Sequence, residues 1–477
     1  MSGFPYKSPP MDHQRDTLRQ MSRHREYALF WEMGTGKTFT TINLAAGRFM
    51  KGHINALVVI CPTPIKLVWE NEIEKWAPCD VEVHTVHASK KNHENLIYFT
   101  TKETDAMKVV IVGVEALSQG KAAGLVLNFA KLNKCMAVAD ESSRLKNFNT
   151  NRTKKAAKIA HASLYRLILT GTPITQGVED LFGQFYFLNP RIIGLSSFVL
   201  FRRRYCIMGG FDDKKIVDYM NVDELMRKVS TYVSIIKKEQ VLDLPDKIYE
   251  RVAVDLAPNQ LKLITELKDQ FYAEHSDETL TTETVLERLT RFQQICGGNF
   301  PYDEDEGSYG VKPIDGPNPK IQALAEILED LPWGTKVIIW ARFRPEMALI
   351  ETLISEKFGK EAVVTFHGGN SHEERKKNVQ DFQFGKARFM ISNPALGGMG
   401  QTWTAATAVI YYSNSFSFED RMQSEDRAHR KGQENKVTYI DIEVNHPYDT
   451  MILKAIKHKG GLAKFVDQQI SHQQAIL

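Results

Sequence analysis

Short continuous runs of branched apolar residues recur along the chain, and they constrain its fold more than any other feature. ALVVICP (56–62), KVVIVGV (108–114), CMAVADE (135–141) and RLILTGTP (166–173) each run into polar, Gly or Pro residues. The pattern resumes with KVIIWARF (336–343), AVVTFHGG (362–369), ARFMISN (387–393), AVIYYSN (408–414) and VTYIDIEV (437–444). A strand that is apolar at nearly every position is buried on both faces, which places it in a parallel sheet covered by helices. Two such blocks predict an α/β chain with two parallel-sheet domains. At 477 residues the chain is also too long for one ordinary core.

The texture between the blocks differs. FRRRYC, MNVDELMRKVSTYV and PNQLKLITELKDQF read as helices with loops, and PYDEDEGSYGVKPIDGPNPK (301–320) has the Asp, Gly and Pro content of an exposed linker. The expected organisation is an N-terminal lobe over 1–190, a mainly helical insertion returning to that lobe over 191–300, and a linker over 301–319. A second lobe follows over 320–446, then a packing helix and tail over 447–477. A formal charge of +3 permits a nucleic-acid partner without arguing for one. The five cysteines (Cys61, Cys79, Cys135, Cys206, Cys296) contain no C-x-x-C pair, so neither a zinc site nor a disulfide framework is indicated, and a reducing compartment is the natural reading. The N-terminal MSGFPYKSPPMDHQ lacks the apolar core of a signal peptide, and no apolar run reaches the roughly 18–20 residues of a membrane span. The expectation is an intracellular, soluble, cytoplasmic protein.

Three motifs carry chemistry. FWEMGTGKT (30–38) follows an apolar strand and precedes a plausible helix. Gly34, Thr35 and Gly36 can turn backbone amides onto phosphates, Lys37 can pair with β/γ oxygens and Thr38 can hold Mg²⁺. The first glycine of the usual eight-residue pattern is Trp31 here. In AVADESSRLKN (137–147), Asp140 and Glu141 stand at the carboxyl end of a strand, where open α/β sheets bind ligands. Beside a phosphate loop, the first carboxylate supports Mg²⁺ and the second orients or deprotonates the attacking water. In QSEDRAHRKGQ (423–433), Arg427 and Arg430 at i and i+3 would share a helix face. Such a face suits an anionic partner. A solvated charged face is the ordinary alternative.

Taken in order, DHQ at Gln14, MGTGKT, LVVICPTPIKLVWENEIEKW, DESSRLKN, LILTGTPITQGVEDLFGQFYFLNP, NPALGGMGQTWTAA and QSEDRAHRKGQ closely resemble the Swi/Snf-type ATPases of helicase superfamily two. The resemblance runs from about residue 10 to about residue 465. It implies two RecA-like lobes with ATP in the cleft between them, and a motor that tracks along duplex DNA. It also implies that Arg427 and Arg430 reach the γ-phosphate, an effect worth roughly 10³–10⁵ in rate in related NTPases. By the same resemblance Gln423 joins the lobes around the nucleotide and Gln14 reads adenine, the alternative for Gln14 being an ordinary polar helix residue. Phosphate contacts that carry no sequence information suit a motor. The matching positions are Thr63, Thr172, Gly368, Gly369, Gly398, Gly400 and Thr402, the alternative for the glycines being tight turns at strand ends. Arg202–Arg204 could touch duplex phosphates or face solvent.

Departures from the family pattern are Ser143 in place of a histidine, Ser392-Asn393 in place of a serine-threonine pair, and IIKKEQ (235–240) in place of an arginine pair. The length suggests a minimal core of bacterial or viral type. Two other functions share these motifs: a strand-separating helicase on forked DNA or RNA, and a nucleotide-switched subunit that clamps DNA or a protein.

Overall fold

The computed structural model describes residues 3–118, 120–209, 215–274, 282–305, 308–397 and 402–447, together with 454, 456, 458 and 459. Among the described residues seventeen strands are numbered in chain order: β1 (Glu26–Trp31), β2 (Ala56–Cys61), β3 (Val81–Thr85), β4 (Met107–Gly113), β5 (Cys135–Asp140), β6 (Tyr165–Leu169), β7 (Cys206–Gly209), β8 (Lys215–Tyr219), β9 (Val233–Ile236), β10 (Lys247–Val254), β11 (Asn299–Asp305), β12 (Ser308–Pro313), β13 (Lys336–Trp340), β14 (Val363–Phe366), β15 (Phe389–Ser392), β16 (Ala406–Tyr411) and β17 (Val437–Val444). The chain forms two compact units, Met1–Leu242 with Lys459–Leu477, and Asp243–His458.

In the first unit seven strands pair in the order β3-β4-β2-β5-β6-β1-β9, every pairing parallel. In the second, six strands pair in parallel in the order β10-β17-β16-β13-β15-β14. The continuous apolar runs have the cause expected of them. On β13, Val337 and Ile339 enter one buried cluster while Ile338 and Trp340 enter another, so alternate residues fill the core on both faces.

All nine apolar runs form strands. Three further sheet strands were not anticipated. β3 lies at one sheet edge, and its VEVHT sequence mixes polar with apolar positions. β9 has four residues. β10 is also an edge strand, and five of its eight positions are exposed. The region read as a mainly helical insertion thus supplies one strand to each sheet and an antiparallel β7–β8 hairpin. The stretch read as linker carries most of the antiparallel β11–β12 pair. The packing helix expected over 447–477 lies almost wholly outside the described residues.

Candidate functional site

β1 ends at Trp31, and the helix Lys37–Met50 begins six residues later. Trp31 replaces the first loop glycine without cost because it still belongs to the strand: its indole is buried and donates to Ser234 Oγ on β9 at 2.9 Å. The turn is made by Gly34 (φ 81) and Gly36 (φ 91), in left-handed backbone that a side chain would strain. The Thr35 hydroxyl donates to Glu32 O at 2.7 Å. From the helix Asp12–Met21, His13 Nε2 lies 2.9 Å from Thr35 O, and Gln14 Nε2 donates to the same carbonyl at 3.4 Å. Gln14 Oε1 accepts from Met11 N at 2.9 Å. A Cβ on Gly36 would lie 2.0 Å from Gln14 Nε2, so the glutamine lies directly against the loop. Lys37 is buried and donates to Trp31 O at 2.7 Å and Glu32 O at 3.4 Å. Thr38 is half-buried at the helix start.

Asp140 closes β5 with both carboxylate oxygens engaged. Oδ2 accepts from Trp69 Nε1 at 2.8 Å and Oδ1 from Glu141 N at 3.0 Å. Burial pushes this carboxyl above the usual carboxylate range, opposed by the Lys37 charge and by those two hydrogen bonds. Glu141 is a non-glycine residue in left-handed backbone (φ 49, ψ 55), a conformation costing about 1–2 kcal/mol that tends to persist at functional positions. The first unit therefore brings Gln14, Gly34, Thr35, Gly36, Lys37 and Thr38 into one loop-and-helix site, with Lys37 and Asp140 in electrostatic reach of each other. Ser143, at the position of the family histidine, is buried.

The arginine segment in the second unit differs from expectation. Its helix, Phe418–Glu425, ends before either arginine. Arg427 and Arg430 lie on turns and do not share a helix face. The Arg427 carbonyl, which a continuing helix would use internally, instead accepts from Trp403 N at 2.9 Å. The Arg427 side chain is 1% exposed, with Nε on Gln423 O at 3.0 Å, while Arg430 is half-buried. Gln423 is buried and donates to Glu419 Oε1 at 3.2 Å. Arg421 and Glu425, which the sequence reading passed over, form a buried ionic network here; their i,i+4 spacing on the helix allows the pair they make at 2.8 Å, but their other partners, Lys247 and Asp441, come from distant strands.

Among the positions read as DNA contacts, Gly368 and Gly369 form an exposed turn after β14, bordered by two cations the sequence reading missed. Arg344 lies 3.3 Å from where a Gly368 Cβ would stand, and Arg375 donates to Gly368 O at 3.3 Å. Thr402 is exposed. The Thr172 hydroxyl is buried and has no hydrogen-bond partner among the described residues. The Thr63 amide and hydroxyl both donate to Glu115 Oε2, at 3.0 and 2.7 Å, so this position is already engaged by a carboxylate. Gly398 and Gly400 lie outside the described residues. Arg204 pairs with Glu224 at 2.6 Å, which uses part of the Arg202–Arg204 charge internally. Ser392 and Asn393 hold neighbouring strand ends, donating to Phe366 O at 2.6 Å and Arg342 O at 2.7 Å.

A glycine-turned loop heading a helix, with an acidic pair at another strand end of the same parallel sheet, is the layout of a phosphate-loop nucleotide site. More particularly, the chain belongs to the SNF2-related domain family, whose pattern matches residues 13–300, and the helicase conserved C-terminal domain matches residues 319–432. It is 27% identical over 435 residues to an ATP-dependent helicase of Mycoplasma pneumoniae, covering 90% of this chain and 39% of that protein. It is 24% identical to the transcription regulatory protein SNF2 of Saccharomyces cerevisiae, covering 98% of this chain and 28% of that one. The chain thus spans well under half the length of these relatives. A solved Sulfolobus solfataricus SWI2/SNF2 ATPase core in complex with dsDNA aligns with 98% of this chain and 96% of that one, at 22% identity and a TM-score of 0.44. Among the described residues no helix is long and apolar enough to cross a membrane.

Proposed function

We propose that this chain is an ATP-hydrolysing motor that translocates along double-stranded DNA. The observation that carries the reading is the convergence of Lys37, at the head of the helix after β1, and Asp140, at the end of β5, in a chain of the SNF2-related family. Lys37 now rests on the carbonyls of Trp31 and Glu32; in turnover it exchanges them for β/γ-phosphate oxygens. Gly34, Thr35 and Gly36 offer backbone amides to the phosphates, and Gln14, fixed against the loop, reads the base.

The donor set fits Mg²⁺: an oriented, partly desolvated carboxylate on Asp140 and the Thr38 hydroxyl at a helix start are hard oxygen ligands. Bound there, the ion would offset phosphate charge. Glu141 accepts the proton of the attacking water. Arg427 and Arg430 neutralise charge developing on the γ-phosphate, and Gln423 braces the nucleotide. Thr63, Thr172, Gly368, Gly369, Gly398, Gly400 and Thr402 hold one strand's phosphates. Arg344 and Arg375 add charge at the Gly368–Gly369 turn. The five cysteines, none in a disulfide, suit a cytoplasmic location.

The test is steady-state ATP hydrolysis at fixed salt with no nucleic acid, blunt duplex DNA, forked DNA, single-stranded DNA or RNA, paired with displacement of a labelled strand. Stimulation by blunt duplex without strand displacement supports the translocase. Better stimulation by forks, single strands or RNA replaces it with a helicase, and stimulation by none of them replaces it with a partner-gated switch.

A further inference from the structure

Glu425 lies two residues before Arg427 and is 4% exposed. Its side chain is saturated from two directions. Oε1 accepts from Arg421 Nε at 2.8 Å, and Oε2 accepts from both Lys247 Nζ and Tyr249 OH at 2.8 Å. Its carbonyl accepts from Tyr439 OH at 2.9 Å. Arg421 is itself fixed, with donors on Asp441 at 2.6 and 3.0 Å and on Asn414 at 3.0 Å, and its guanidinium lies 3.6 Å over the Tyr411 ring. Burial alone would raise the Glu425 carboxyl, but Lys247 and Arg421 overcome it and hold it down at about 2.

Lys247 and Tyr249 are two apart on β10 and so face the same side. Pro245, a further two residues back, receives His429 Nε2 on its carbonyl at 2.7 Å. Alternate residues of one short stretch therefore grip the arginine segment at Glu425 and at His429. Arg427 lies between those two points, and Arg430 directly follows the second. A buried ion pair is weak evidence of stabilisation, since an apolar pair of equal volume often serves as well or better. What a doubly accepted carboxylate does give is a fixed position, and the segment it fixes bears the two arginines.

We propose that Lys247 and Tyr249 are positioning residues for Arg427 and Arg430, acting through Glu425. This rests on the ATPase reading above. Neither residue touches the nucleotide; each sets where the turns after Glu425 begin. β10 is the first strand after the junction at Leu242–Asp243, so the arginines are registered to the stretch of chain that enters the second unit.

The experiment is duplex-stimulated ATP hydrolysis by the full chain carrying Lys247→Met, Lys247→Arg, Tyr249→Phe, Lys247→Met/Glu425→Gln, Arg430→Ala or Lys247→Met/Arg430→Ala. Each is paired with fluorescent-ATP affinity and a thermal melt. The expected result is a kcat at least about tenfold lower for Lys247→Met, with nucleotide affinity within twofold of wild type and substantial rescue by Lys247→Arg. Tyr249→Phe should fall in between. The Lys247→Met/Glu425→Gln pair, which removes both charges, should recover the melting temperature but not kcat, and Lys247→Met should cost little further once Arg430 is alanine. If kcat returns together with the melting temperature in the doubly neutral variant, or if Lys247→Met slows the Arg430→Ala enzyme as much as wild type, the residues are merely structural and the inference falls. If Arg430→Ala is slow but Lys247→Met is not, the inference alone fails. If wild type does not turn over, or Arg430→Ala turns over normally, the ATPase reading fails and takes this one with it.

Discussion

Replacing Gly36 by alanine tests the nucleotide loop most directly, because two separable costs can be worked out beforehand. Gly36 has φ 91 and ψ 30 at the start of the helix Lys37–Met50, and a Cβ in left-handed backbone costs roughly 1–2 kcal/mol. That Cβ would also lie 2.0 Å from Gln14 Nε2, so the glutamine amide must shift away. Gln14 would then lose its bonds to Met11 N and Thr35 O, each worth about 0.5–1.5 kcal/mol net. The sum for Gly36→Ala is roughly 2–5 kcal/mol. In a Gln14→Ala background the steric part is already gone, and only the strain of about 1–2 kcal/mol should remain. The assay is a denaturant-unfolding cycle on wild type, both single variants and the double, with fluorescent-ATP binding measured alongside. The interaction energy should be about 1–3 kcal/mol, with weakened nucleotide binding in both single variants. Equal costs for Gly36→Ala in both backgrounds would refute the claim that Gln14 rests on the loop. A cost below about 1 kcal/mol in wild type would refute the strain as well.

Lys37→Ala should abolish ATP turnover, while Glu141→Gln should bind ATP and fail to hydrolyse it; single-turnover assays separate the two outcomes. Arg430→Ala should bind ATP almost normally and turn over at least about 10²-fold more slowly. Arg427→Ala should add a lower melting temperature, because that side chain is almost fully buried. Glu425 makes the second unit acid-sensitive in a defined window. A carboxyl held at about 2 rather than 4.5 stabilises fully above pH 4.5, and that contribution is lost as pH falls toward 2. The shift corresponds to about 3 kcal/mol as an order of magnitude. Urea midpoints followed from pH 6 down to pH 2.5 should fall steeply in wild type and more gently in Glu425→Gln.

The strands were legible where burial on both faces left no polar position, as in ALVVICP and KVIIWARF. They were illegible at three of the four sheet edges, β14 being the exception: β10 reads KIYERVAV, and its run of exposed residues blends with neighbouring loops. The glycine turn and the helix after it could be read because their signals are local. The Trp31 departure looked like a defect and is explained only by Ser234 on a distant strand. The arginine segment misled for a related reason. Spacing of i and i+3 implies a shared helix face only if the helix persists, and its end is marked by the Arg427 carbonyl turning to Trp403. Trp69, Lys247 and Tyr249 belong to no recognisable spacing at all. Each matters through a carboxylate that folding brings to it.

The placing of β9 beside β1 bears on how the protein is made. The indole of Trp31 and the hydroxyl of Ser234 are 203 positions apart. A ribosome adding about 5–20 residues per second leaves β1 with one raw flank for roughly 10–40 s, even if its other neighbour has already formed. An unpaired parallel strand of that kind is a template for wrong partners. The nascent chain therefore passes through an interval in which the strand leading into its nucleotide loop is the adhesive part of the molecule, and a holding chaperone or a slower stretch of translation before Val233 would change its yield more than its final stability.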